Sequence, residues 1–160
     1  MADPVINTNE TPAAGTQTET PVSDFNSKIV LGILNSITLT PDGAEKTDSF
    51  DPDAEPDGPG VVTCEVTKLE QLNPGVPDFF ASVSVLGQTF ASTDPNKAII
   101  RTLFADVMRS VMSMTAASLT TTTGLTVDGI LPISNAAIRE GADRFMFTVD
   151  FKIAVGNLSF

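Results

Sequence analysis

The chain has 160 residues, enough for one domain with a sizeable core, and it contains no His, Trp or Tyr and a single Cys. The usual general acid–base side chain is therefore absent, as are thiol–histidine pairs and every zinc site that needs imidazole. The net charge of −11 is unevenly spread: residues 1–60 hold eleven acids and two lysines, residues 61–160 nine acids and seven basic residues, so −9 and −2.

In chain order, residues 1–27 are rich in Thr, Asn, Pro, Glu and Ala without a hydrophobic pattern. They read as an extended N-terminal arm held by a neighbouring subunit, with residues 28–160 as a single domain. A strand is predicted over 28–40, with Ile29, Leu31, Ile33, Ile37 and Leu39 on one face. Residues 41–60 form an acidic loop cut by Pro52, Pro56 and Pro59. Counted as a calcium loop from Asp53, Gly58 falls sixth, but Cys64 stands twelfth where an acid is required, so a solvated loop is the better reading.

A second strand runs over 61–69. There Val62 and Val66 flank Cys64 and mark it as a buried structural thiol, with no partner for an intramolecular disulfide. Asn73-Pro74-Gly75 signals a turn. Phe79, Ala81, Val83 and Val85 then alternate with Phe80, Ser82 and Ser84, the period of a half-buried strand. Gly87-Gln88 offers a two-residue turn, with Thr89-Phe90-Ala91 returning. Asp94 suits a helix N-cap and Pro95 the first helical position. Ile100, Leu103, Phe104, Val107, Met108, Val111 and Met112 follow at helical spacing. Their stripe is wider than the roughly 100° that one packing surface needs. No other long helix is evident, so a second copy of the chain is expected to cover the surplus, with Ile100, Leu103, Phe104, Val107, Met108 and Val111 as the dimer interface.

Residues 115–123 are Thr-rich and read as a loop. Residues 125–131 suggest a short strand, or a turn at Asp128-Gly129 instead, and 134–140 a short helix ended by Gly141. The last strand alternates most clearly: Phe145, Phe147, Val149, Phe151, Ile153 and Val155 against Met146, Thr148, Asp150, Lys152 and Ala154. The predicted class is α+β, with an antiparallel sheet of about five or six strands covered on one face by helix. The other face is solvated or lines an assembly cavity.

No catalytic constellation emerges. Asp150 and Lys152 share a strand face and read as a solvated pair. Asp78 and Asp94 sit at turns or caps, and Arg101, Arg109, Arg139 and Arg144 are scattered. Gly58-Pro59-Gly60 precedes no helix and makes no phosphate loop. No enzyme activity, cofactor or metal site is expected. No apolar run approaches 18 residues and the N-terminus is polar and acidic, so neither membrane insertion nor secretion is expected. The basic count is low for a protein that lives by phosphate contacts, leaving room for a modest RNA contact through Ser, Thr and a few Lys.

The segment Ser92-Thr-Asp-Pro-Asn-Lys-Ala-Ile-Ile-Arg-Thr-Leu-Phe-Ala-Asp-Val-Met-Arg-Ser resembles the sheet-to-helix junction of coat proteins from the small single-stranded RNA phages, the leviviruses. Val62-Thr63-Cys64-Glu65-Val66 resembles another strand of that family, and the resemblance covers roughly residues 60–115. It implies an intertwined dimer with one continuous sheet and interlocked helices, icosahedral assembly in the host cytoplasm, and a virion location. It also implies an inner sheet face that binds a hairpin of the single-stranded RNA genome. By position, Thr63, Glu65, Ser82 and Ser84 would lie on that face, with Lys68 nearby. Glu65 departs from the family by placing an acid there, and Ser84 stands where some members have Lys. A second departure is the long C-terminal extension with its added strand, which one circularly permuted branch of the family resembles. The competing reading is a tail-terminator or neck ring subunit of a tailed phage. Those proteins often begin with a helix, whereas this chain is read as beginning with an arm and a strand.

Overall fold

The computed structural model describes residues 20–48 and 58–159. Its elements are β1 (Thr20–Pro21), α1 (Val22–Asn35), β2 (Glu45–Lys46), β3 (Val61–Gln71), β4 (Phe79–Phe90), α2 (Ala98–Ser113), α3 (Ala116–Thr123), β5 (Thr126–Ile130), β6 (Asn135–Glu140), β7 (Arg144–Gly156) and β8 (Leu158–Ser159). The α+β class follows. The main sheet has six strands in the order β2-β3-β4-β7-β5, with β6 also on β7. It is antiparallel apart from the short β2–β3 pair. β5 and β6 lie end to end along one edge of β7, joined by the N–H groups of Leu131 and Ser134 donating to the carbonyls of Lys152 and Asp150. The separate β1–β8 pair is parallel.

The core lies on one face of this sheet. Cys64 and Val62 of β3, Ala81, Val83 and Val85 of β4, and the six odd-numbered apolar residues of β7 meet the apolar sides of all three helices. The clear alternation of β7 is realised over its whole length, with Phe147, Val149, Phe151, Ile153 and Val155 at most 1% exposed. The turn at Asn73-Pro74-Gly75 is also formed: Val76 N–H donates to the Asn73 carbonyl and Gly75 takes φ +80°.

Five local expectations are overturned. The strand expected over 28–40 is helix α1 up to Asn35, and the helix starts inside the segment read as arm, at Val22. Phe25, Ile29 and Ile33 recur every four residues and are fully buried, while Leu31, which a strand would bury with Ile29, is 46% exposed. Gly32 lets this helix press onto α3, because a Cβ there would collide with Thr123. The Thr-rich segment is helix α3 rather than a loop. Thr115 and Ser118 form a reciprocal capping box, and Gly124 closes the helix in the left-handed region at φ 74°. The hydroxyls of Thr121 and Thr123 find acceptors in carbonyls one turn earlier, so they are satisfied within the helix. Residues 135–140 are strand β6, not a short helix: six residues nucleate a helix poorly, and the long edge of β7 offers a complete ladder. Gly87-Gln88 is no turn; it lies inside β4, whose backbone pairs with β3 on one side and β7 on the other. A Cβ at Gly87 would collide with the Phe147 ring, so the glycine makes room for that core side chain.

The fifth concerns the start of α2. It begins at Ala98 with Lys97, at φ 59°, in the cap position, so Pro95 is not its first residue. Asp94 nevertheless does the capping from farther upstream. Its carboxylate accepts the Ile99 and Ile100 N–H groups, both at 2.9 Å, and the Thr89 hydroxyl at 3.0 Å. The arm reading for residues 1–19 and the calcium-loop count from Asp53 to Asp57 lie outside the described residues.

Candidate nucleic-acid interface

The face of the sheet opposite the helices is built from the alternate residues of β3, β4, β7 and β6. Register brings Glu65 opposite Ser84 and Ser84 opposite Asp150, then Asp150 opposite Asn135. Along the next row, Lys68 faces Ser82 and Ser82 faces Lys152. Lys68 reaches this face only because a register shift between Val66 and Lys68 resets the alternation of β3.

All five expected RNA-face residues therefore share one face, but only Glu65, Lys68 and Ser82 present an accessible side chain. Thr63 shares the face but is 4% exposed and presents little to a ligand. Ser84, at 8% exposure, is committed to a 2.6 Å hydrogen bond onto Asp150 Oδ1. Asp150 and Lys152 do not pair with each other, as the sequence suggested. Asp150 instead takes Ser84 and, on Oδ2, the Asn135 amide at 3.0 Å, while Lys152 donates to Glu70 at 2.9 Å. Lys68 lies 3.5 Å from the same Glu70. The hydrogen bond from Lys152, its charge and that of Lys68 hold the Glu70 carboxyl below its ordinary value, outweighing the slight loss of solvent around it.

Both strand-borne lysines of this face are thus partly neutralised by Glu70, and the exposed Arg139 of β6, opposite Met146, lines a cavity together with Asp150. The cavity has a volume of about 320 Å³. Ser84, Leu86, Asn135, Arg139, Met146, Thr148 and Asp150 are among the residues that line it. β6 supplies two of those groups, and reading it as helix hid them. The signal that could have found them was Gly141 followed by the strong alternation of β7, the pattern of a hairpin's second strand.

The helix side holds the residues expected at a dimer interface. Ile100, Leu103 and Val107 are fully buried and Val111 is 5% exposed, all against this subunit's own sheet. As partner contacts these four are corrected: the subunit itself covers them, and α1 and α3, both unseen in the sequence, close the rest of the core. Phe104 and Met108 are half-buried. Phe104 meets Phe147 edge-on with ring centroids 5.5 Å apart. Met112, on the outer margin of the stripe, is 74% exposed.

A second cavity of about 430 Å³ lies between the segment that follows α1 and the helices α2 and α3, lined mainly by Ser and Thr residues together with Arg109 and Met114. Beneath it the buried Asp106 carboxylate accepts the Thr40 N–H at 2.8 Å, the Thr40 hydroxyl at 2.9 Å and Arg109 at 2.9 Å. Burial alone would raise this carboxyl, but the Thr40 and Arg109 contacts outweigh it and hold the group below its ordinary value. Cys64 is the opposite case, its thiol pushed up to about 12 by burial and by neighbouring Glu65. Among the described residues no group of three acids or thiols is placed to hold a metal ion. No helix among them is long and apolar enough to cross a membrane.

No protein-family model matches this chain, and no curated protein is significantly similar to it.

Proposed function

We propose that the chain is a self-associating structural subunit of a virion. On the reading we favour, it is a coat protein whose dimers build an icosahedral shell around single-stranded RNA. One observation carries this reading furthest: a six-stranded sheet that, among the described residues, is covered by helices on one face and free of them on the other. Such a sheet suits a shell wall, with the open face turned to the contents. The half-buried Phe104 and Met108 and the exposed Met112 form the surface of α2 left for a partner, and the polar segment before β1 suits contact with neighbours. Thr63, Glu65, Lys68, Ser82 and Ser84 are assigned to the inner face, where few cations are free. RNA binding is accordingly weak and salt-sensitive.

The ring-subunit reading gains from one observation. The first long element among the described residues is a helix, α1, as in many tail-terminator and neck proteins, and the strands after α2 return to the same sheet. Expression of the full chain followed by electron microscopy and light scattering separates the two. Shells tens of nanometres wide containing nuclease-protected RNA are expected for a coat. Small rings favour the second reading, and a monodisperse monomer refutes both. Met112→Asp, at the exposed margin of the stripe, should abolish assembly while leaving a folded chain, whereas Phe104→Asp would also remove the contact with the core ring of Phe147.

A further inference from the structure

We propose that the cavity beside Asp150 binds a single unpaired guanine base of a nucleic-acid strand. This rests on the reading of the open sheet face as an RNA-contacting surface and adds to it a base preference and a place. The cavity, about 320 Å³, is at the lower end of the size range of ligand pockets.

Its chemistry selects among bases. A carboxylate only accepts, with about four lone-pair positions. Ser84 and Asn135 occupy one on each oxygen of Asp150, which orients the group and leaves about two for a ligand. Guanine is the base whose Watson–Crick edge sets two donors side by side, the N1 hydrogen and the 2-amino group. Adenine and cytosine each place a ring-nitrogen lone pair beside their amino group, which a carboxylate repels. Uracil offers one N–H between two carbonyls. Guanine O6 in turn needs a donor, and Arg139 lines the same cavity. The apolar surfaces of Leu86 and Met146 are the parts of the lining suited to the face of a ring. The edge must be free of a pairing partner to be read in this way, so the ligand is a loop or single strand.

The test uses the full chain and fluorescence anisotropy with labelled penta-uridine oligomers carrying one central G, inosine, A or C. The G oligomer should bind tightest. Inosine, which lacks the 2-amino group, should bind about tenfold more weakly, the discrimination typical of one bidentate pair. A and C should bind no better than U. Asp150→Asn, which replaces an acceptor with a donor, should erase the preference for G. Equal binding of all oligomers overturns the guanine site and leaves the RNA reading standing. No binding of any oligomer overturns both. The inosine comparison needs no variant, so it decides the matter even if Asp150→Asn fails to fold.

Discussion

Asp94 carries more of the fold than its place in a turn suggests. It is 2% exposed, and its two oxygens hold the first turn of α2 and the end of β4 together through Ile99, Ile100 and Thr89. Asp94→Ala would remove three hydrogen bonds. It would leave the Ile100 N–H and the Thr89 hydroxyl without an acceptor, and both residues are fully buried. A buried donor stripped of its acceptor costs about 1–3 kcal/mol. Two of them give about 4 kcal/mol, a large share of the 5–15 kcal/mol that stabilises a typical domain. Asp94→Asn keeps the shape and one acceptor and should cost about half as much. Urea unfolding at pH 7, followed by circular dichroism, reads the difference. With a slope of about 2 kcal/mol/M, the midpoint of the alanine variant should fall by about 2 M. A fall below about 0.3 M would refute the claim that this carboxylate organises the sheet-to-helix junction.

Gly87→Ala should destabilise by about 1–3 kcal/mol, because the new methyl competes with the Phe147 ring for the same space; an unchanged melting temperature would show that the ring has somewhere else to go. Cys64 should resist iodoacetamide at pH 8 in the native protein and react on unfolding, since burial keeps its thiol protonated up to about 12; rapid native labelling would contradict its burial. The Asp106 carboxyl lies below its ordinary value in the folded state, so its stabilisation is complete above the unfolded value near 3.8 and is lost as pH falls through the lowered folded value. Asp106→Asn should therefore be less stable than the parent by about 1–3 kcal/mol at pH 7, with the gap closing as pH falls through the lowered folded value; a gap independent of pH would mean that charge plays no part.

What could be read without the structure was whatever depends on short-range periodicity. β7 declares itself because apolar and polar residues alternate over Phe145–Val155, and nothing but a half-buried strand satisfies that pattern. The apolar side of α2 is equally plain from Ile100, Leu103, Val107 and Val111. The absence of histidine excludes imidazole chemistry whatever the fold. The remainder turned on partners distant in the chain. The apolar residues at 29 and 33 fit a strand or a helix, and the buried Phe25 together with contact to α3 makes α1 a helix. The segment 135–140 has weak preferences of its own and becomes a strand because β7 offers unpaired backbone groups along its edge. Gly87 reads locally as a turn, but Phe147, sixty residues later, takes the space a side chain would fill. The cavity beside Asp150 joins β4, β6 and β7, and the fate of the wide stripe on α2 depends on which helices share the sheet. Local spacing is set by bond geometry within one or two turns of chain. Which groups meet across sixty residues is decided by the packing of the whole domain, because only there is apolar surface removed from water and each buried polar group given its partner.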